Sequence, residues 1–325
     1  MTSYESAGVS LVKAEEVVQR LRHAVESTRT DGVVGQFGAF AGLFALDEER
    51  LLAATTDGVG TKLVLSRRAG RLFDAGVDLA AHCIGDVLTT GAQPLFFLDY
   101  AAAGTLDLAE VAELVEGAAS VCRAAGCALL GGETAELPGI YREGELDFAG
   151  TCVGLVRRDE LIDGSRCAAG DAVLGLPSSG LHTNGYTLVR SLVGDDLFDA
   201  DLLLAPHRLY SEDVQRLRER CDVRALAHVT GGGIPGNLAR VLPAGLGARI
   251  DPRAWERPAV YAWLDEHGVA EEEQRRVFNL GVGMCAVVPA EGAAALAGAG
   301  IPVLGRLEAG LEGVVWDEGF LCAES

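Results

Sequence analysis

Thr55-Thr56-Asp57-Gly58-Val59-Gly60-Thr61-Lys62-Leu63 closes an apolar run that begins at Leu51, setting a carboxylate, two glycines, hydroxyls and an ammonium at the end of a strand. Asp57 is a hard oxygen donor suited to Mg²⁺, Gly58 and Gly60 admit close backbone approach, and Thr61 and Lys62 offer a hydroxyl and a positive charge to phosphoryl oxygens. The pattern suits a metal-bound phosphate; the plainer reading is a strand running into a glycine turn with a solvated lysine. It is not a P-loop, because Thr61 separates Gly60 from Lys62 and no glycine stands at the required earlier position.

Outward from this stretch, residues 38–46 and 51–56 read as strands. Between Asp74 and Thr90, Val77, Ala81, Ile84 and Leu88 recur at three and four, the stripe of a helix facing a core, and Gly91 ends it. Residues 94–101 form a strand carrying Asp99. A second helix opens at Asp107, with Glu110 three residues on, buries Leu108, Val111, Leu114, Val115, Ala118 and Cys122, and stops at Gly126. A strand at 127–130 delivers Gly131-Gly132-Glu133-Thr134, and another at 147–156 closes the first half. The turn-rich segment 163–171 divides the chain into domains at 1–166 and 167–325. Helices near 184–193, 206–221, 235–241 and 258–268 then alternate with strands near 172–176, 246–250, 282–288 and 302–307. Such unequal alternation predicts an α+β fold with mixed sheets covered by helices.

At 325 residues and 49% hydrophobic the chain has ample core for two domains. Its net charge of −20, with 27 basic residues spread among 47 acids, excludes non-specific nucleic-acid binding and requires a local positive site for any anionic substrate. No apolar stretch reaches the ~20 residues of a membrane span, and the start lacks a basic leader. The expectation is a soluble, cytoplasmic protein with no membrane partner. The eight cysteines, without a C-x-x-C pair, read as reduced, mostly buried thiols.

Three acids are candidate metal ligands: Asp57 after a strand, Asp86 within the apolar helix, and Glu133 after a Gly-Gly turn. Asp86 either caps a neighbour, faces water or binds something worth its desolvation; Asp99 reads first as hydrogen-bonded structure. In the second half, Ser178-Ser179-Gly180-Leu181-His182-Thr183-Asn184-Gly185-Tyr186 opens a helix and gathers hydroxyls, amides and an imidazole. His228-Val229-Thr230-Gly231-Gly232-Gly233-Ile234-Pro235 runs three glycines into a helix, a phosphate-nest pattern whose alternative is an empty connection. Asn279-Leu280-Gly281-Val282-Gly283-Met284-Cys285-Ala286 leads into a strand, the wrong order for a dinucleotide turn.

Taken together, the blocks Thr56–Leu63, Pro94–Tyr100, Gly131-Gly132-Glu133-Thr134-Ala135-Glu136-Leu137-Pro138-Gly139, Ser178–Tyr186 and Thr230–Gly233 resemble, in order, the aminoimidazole ribonucleotide synthetase (phosphoribosylformylglycinamidine cyclo-ligase) family of purine biosynthesis. The similarity runs from Tyr4-Glu5-Ser6-Ala7-Gly8-Val9 to about Val315. It implies two α+β domains, N-terminal sheets joined across a homodimer, and an ATP site between the domains. It also implies an ATP- and Mg²⁺-dependent closure of formylglycinamidine ribonucleotide to aminoimidazole ribonucleotide, releasing ADP and phosphate. On that reading Asp57, Asp86 and Glu133 hold the metal, and Lys62, His182 and His228 are catalytic. Asp57, Gly58, Gly60, Thr61, Lys62, Gly132, Glu133, Asn184, Gly231, Gly232 and Gly233 bind the nucleotide or the anions. The chain departs from the family pattern in the glycine-poor segment 35–42, at Gly85 and at Leu280. The alternatives are another ATP-using member of the superfamily and a silent nucleotide-binding assembly subunit.

Overall fold

The computed structural model describes residues 4–8, 10–298 and 300–317. After helix α1 (Leu11–Ser27), the first half forms strands β1 (Val33–Val34), β2 (Gly42–Ala45) and β3 (Arg50–Gly58), helices α2 (Lys62–Arg68) and α3 (Leu72–Leu88), strand β4 (Gln93–Ala103), helix α4 (Leu108–Ala124), and strands β5 (Ala128–Glu136) and β6 (Leu146–Arg157). The second half begins with strand β7 (Ala172–Pro177), helices α5 (Tyr186–Val193), α6 (Ala200–Leu203) and α7 (Ser211–Arg220), strand β8 (Ala225–His228), helix α8 (Gly233–Leu238) and strand β9 (Leu246–Ile250). It ends with helices α9 (Val260–Glu266) and α10 (Glu271–Val277), strand β10 (Val282–Val288), helix α11 (Ala290–Ala297), and strands β11 (Val303–Ala309) and β12 (Gly313–Trp316).

Each half builds one sheet, in the orders β1-β2-β3-β6-β4-β5 and β12-β9-β11-β7-β10-β8. Both are mixed: only β4–β5 in the first and β12–β9 in the second are parallel. The α+β expectation of mixed sheets with helices thus holds. The strand expected at 38–46 is confined to Gly42–Ala45, and the helix expected from 206 begins at Ser211 because residues 206–210 run to the domain junction. Leu108, expected inside, is 87% exposed at the start of α4, where Asp107 caps the helix by accepting from the backbone N–H groups of Ala109 and Glu110. Cys322 lies outside the described residues; Cys83, Cys122, Cys127, Cys152, Cys167 and Cys285 are buried, and all are free thiols.

Helix α3 joins the halves. It packs on β3, β4, β6 and α4 on one side and on α7 and β8 on the other. One apolar core runs from Leu51, Phe97 and Phe148 through Leu79, Ile84 and Val87 to Leu174, Leu176, Met284 and Ala286 of the second sheet. Strand β10 explains its unbroken apolar sequence: Met284, Ala286 and Val288 face this core, while Cys285 and Val287 face a second one behind the sheet.

Helices α3 and α4 meet backbone to backbone. A Cβ added at Gly76 falls 2.0 Å from the Leu114 carbonyl oxygen, and one at Gly117 falls 2.0 Å from that of Phe73. Gly117→Ala is therefore expected to cost about 1–3 kcal/mol in urea unfolding. Gly236→Ala, in an α8 site with nothing within 4 Å, is expected to be neutral or to stabilise by up to about 1 kcal/mol. Equal midpoints for the two variants would remove the close helix crossing as a determinant of stability.

Candidate active site

Because α3 is buried along most of its length, each polar side chain on it needs a partner. Asp78, His82 and Asp86 recur at intervals of four and share one face, turned toward the second domain. Lys62 Nζ lies 2.8 Å from the Asp78 carboxylate and donates to the Ala205 carbonyl oxygen at 3.0 Å, 5.2 Å from the centre of the Tyr186 ring. Asp78 also accepts from the His207 backbone N–H at 2.7 Å. His82 is held at both ring nitrogens, Nε2 2.9 Å from Asp57 and Nδ1 2.6 Å from Thr183 Oγ1. Asp86 accepts from His228 Nδ1 at 2.8 Å and from Thr55 Oγ1 at 3.3 Å.

Four of the six histidines meet here. The bond to Asp86 assigns the His228 proton to Nδ1, since a carboxylate only accepts. His228 Nε2 then accepts from His207 Nε2, 3.0 Å away, and His207 Nδ1 is left bare. His182 stacks on His207, with ring centroids 3.8 Å apart, and its Nε2 accepts from the Ser179 backbone N–H at 3.3 Å. The Nδ1 atoms of His182 and His207 are both buried without a partner. His182 also sits at φ 61°, a left-handed conformation that a non-glycine residue holds only under tight constraint. Two glycines make room: a Cβ at Gly85 would meet the His228 ring at 2.7 Å, and one at Gly283 would meet His182 Cε1 at 2.4 Å.

Burial and neighbouring charge sort these rings. Burial opposes charge on His82, but Asp57 beside it, with Asp86 and Asp78 near, outweighs burial and raises its pKa to about 9. Burial also opposes charge on Asp57, yet the His82 ring holds its carboxyl below the usual range. His182 and His207 are pushed well down by burial and by the other cations, and His228 is lowered by burial against the pull of Asp86. The result is one imidazolium, His82, against three neutral imidazoles.

Several expected roles change. Lys62, expected to meet phosphate, is fully buried here, its ammonium committed to the Asp78 carboxylate. Asp57, Asp86 and Glu133 do not converge. Asp57 pairs through Gly150 and Asp99 to Gly132 across the first sheet, whereas Glu133 lies in the next row, beside Tyr100. Glu133 is therefore on the opposite face and three strands away, about 14 Å at about 4.8 Å per step. Gly132 has a packing role, since a Cβ there would fall 2.0 Å from the Asp99 carbonyl oxygen. Gly58, Gly60 and Thr61 stay beside the site, with Thr61 Oγ1 3.1 Å from Thr187 Oγ1.

The two second-half loops adjoin: a Cβ on Gly231 would lie 3.2 Å from Asn184 Oδ1. The Gly231–Gly233 turn is held from inside by Asn237, whose Nδ2 donates to the carbonyl oxygens of Thr230, Gly231 and Gly233 at 3.2, 3.2 and 2.8 Å. Arg240 follows, donating to Gly38 O at 2.9 Å and lying 3.9 Å over the Phe40 ring. Residue-by-residue reading missed Asp78, His82, His207, Asn237 and Arg240. A signal existed for the first two, which stand four and eight residues before Asp86 on one apolar helix.

Residues 38–156 match the family described as AIR synthase related protein, N-terminal domain, and residues 168–317 match its C-terminal domain. The phosphoribosylformylglycinamidine cyclo-ligase of Synechococcus sp. (strain CC9605) is 48% identical over 304 residues, covering 88% of each chain. That of Sorangium cellulosum (strain So ce56) is 49% identical over 305 residues, again 88% of each. The hydrogenase maturation protein HypE in complex with ATP shares the fold at a TM-score of 0.62 and 21% identity, over 95% of this chain and 90% of that one. The chain belongs to the AIR synthase related family.

The His82–Asp57 pair has a pH signature. With its folded pKa at about 9, above the ordinary 6.5, the stability His82 contributes is complete below pH 6.5 and is lost as pH rises through about 9. The His82 ring is expected to remain protonated at pH 7.5 by NMR, and Asp57→Asn to bring its titration down by more than one unit. A His82 ring that titrates near 6.5 in the unsubstituted protein contradicts the charge assignment.

Proposed function

We infer that this chain catalyses ATP-dependent cyclisation of formylglycinamidine ribonucleotide to aminoimidazole ribonucleotide, with release of ADP and phosphate, in purine biosynthesis. The observation that carries the inference is membership of the family across both halves of the chain, at 46–49% identity to cyclo-ligases. It is thus a ligase that forms a carbon–nitrogen bond.

The chemistry sets two demands. Amide oxygen is a poor leaving group, so the γ-phosphoryl group moves from ATP to the formyl oxygen and ADP leaves. A substrate nitrogen then attacks the formyl carbon, the carbon–oxygen bond breaks with loss of phosphate, and the nitrogen gives up its proton. The first demand needs positive charge in a chain of net −20, and His82 and Arg240 supply it at the junction. The second needs a neutral base: Asp86 sets the His228 tautomer, His228 Nε2 accepts from His207, and the bare Nδ1 of His207, stacked on His182, is the lone pair this chain of rings leaves for a proton. Lys62 acts as a positioning residue by holding Asp78 and the 205–207 segment.

Mg²⁺ suits part of the donor set. Asp57 keeps 39% of its side chain exposed and offers hard oxygen to an ion that retains most of its waters. Asp86 is taken up by His228 and Thr55, and Glu133 faces away. When bound, the ion neutralises phosphate charge. Thr61, Asn184 and the 231–233 turn line the same junction and would contact the anions. The two sheets, separated by residues 161–171, support domains at 1–166 and 167–325.

The first sheet bears α3 and α4 on one face and exposes Leu98, Tyr100 and Leu130 on β4 and β5. That surface supports the joining of N-terminal sheets in a homodimer, with Glu133 beside the join. The arrangement is tested by equilibrium sedimentation, where a mass of one chain at micromolar concentration refutes it. The activity is tested by ADP release with Mg·ATP, with and without formylglycinamidine ribonucleotide, following the aminoimidazole product in parallel. Substrate-dependent ADP release matched by product is expected, and Asp86→Asn should lower turnover about 10²-fold by releasing His228. ADP release indifferent to this substrate points to another kinase of the superfamily, and nucleotide binding without turnover to a silent subunit.

A further inference from the structure

The histidine cluster offers a kind of ligand site that the cyclisation does not call for. His182, His207 and His228 each present one ring nitrogen, and these nitrogens lie within 4.8 Å of one another in fully enclosed surroundings. All three come from the second domain: His182 before α5, His207 before α7, and His228 at the end of β8. They form a preassembled set rather than one that depends on docking of the first domain.

Two features point to a ligand. The Nδ1 atoms of His182 and His207 are buried with no hydrogen-bond partner, although buried ring nitrogens are ordinarily satisfied. The Nε2 atoms of His207 and His228 approach to 3.0 Å, near the spacing of two nitrogens on one tetrahedral ion with ~2.0 Å metal–nitrogen bonds. His228 is in turn anchored through Nδ1 to Asp86 at 2.8 Å, the carboxylate–histidine arrangement that orients imidazole ligands and raises their basicity.

We propose that His182, His207 and His228 form a binding site for a divalent transition-metal ion of the Zn²⁺ class, with Asp86 orienting His228 and the fourth position left to water. The ligands are neutral imidazoles, so binding through the Nε2 atoms requires a tautomer shift at His207 and release of the Ser179 hydrogen bond at His182, with no net loss of protons. His182 and His207, now stacked, turn out of parallel to aim their in-plane lone pairs at one ion. The site is chemically distinct from one for Mg²⁺, which selects oxygen. Charge favours it: Lys62 with Asp78 and His82 with Asp57 cancel, and Asp86 remains as a negative group beside a dication. Occupancy engages the Nε2 atoms of His228 and His207, which face each other, while the His228 nitrogen at the domain junction, Nδ1, stays with Asp86.

The test needs no nucleotide and stands apart from the cyclisation assay. Full-length, chelator-treated protein is titrated to equilibrium with Co²⁺ as a spectroscopic probe. One equivalent is expected to produce the intense visible bands of a four-coordinate nitrogen site, displaced by Zn²⁺ and indifferent to excess Mg²⁺. His207→Gln and His228→Gln, with folding verified by thermal melting, are expected to weaken binding about tenfold or more. His267→Gln, at an exposed ring stacked on Trp263, is expected to leave it unchanged. A weak six-coordinate spectrum, displacement by Mg²⁺, or equal binding by the folded variants overturns the proposal. If neither variant folds, the unsubstituted spectrum decides alone.

Discussion

A helix enclosed on both sides cannot leave a polar group unpaired, and α3 carries three of them in a line. Each unpaired buried charge costs several kcal/mol, so Asp78, His82 and Asp86 must be met by groups brought from elsewhere. Lys62 answers Asp78, Asp57 and Thr183 answer His82, and His228 and Thr55 answer Asp86. These partners come from the end of β3, the start of α2, the loop before α5 and the end of β8. Satisfying one helix face thus fixes the relative positions of both domains and of two loops.

The same constraint separates structural charge from charge left for chemistry. Lys62 and Asp78 are fully enclosed, and burial draws the ammonium down and the carboxylic acid up while their attraction opposes both. Breaking one member of such a pair costs about 3–5 kcal/mol because the other is stranded. Positive charge at the domain junction is carried by His82, held cationic by Asp57, and by Arg240, which lies between Phe40 and the 231–233 turn.

Much of the fold was legible because its signals are local. The period of α3, the Asp107 cap of α4 and the apolar run of β10 all follow from near-neighbour preferences, and each element stands close to its expected place. The site was legible only in part. Asp57 and His228 sit at strand ends beside recognisable turns, as His182 and the glycine loop sit in them, but the partner of Lys62 lies sixteen residues on and the partner of Asp86 lies 142 residues on. Strand order hid the face of Glu133: only the register β3-β6-β4-β5 shows that it alternates away from Asp57. His207 carried no local mark at all, since its role arises where an irregular segment crosses β8.

The departure at Gly85, and the glycine at position 283, acquire a reason from this geometry. A neutral imidazole is a useful base only if its lone pair is aimed and its ring is shielded from competing water. Both require close walls, and close walls leave no space for a side chain on the adjacent backbone. Gly85 lets the His228 ring lie directly on α3, next to the carboxylate that sets its tautomer, and Gly283 lets His182 and Tyr210 pack onto β10. The cost of enclosing three imidazoles is then reduced by keeping them uncharged. Of the four clustered rings, the one allowed a charge, His82, is the one that reaches a partly exposed carboxylate. Neutral bases inside and a compensated cation at the rim follow from one buried helix and the missing side chains beside it.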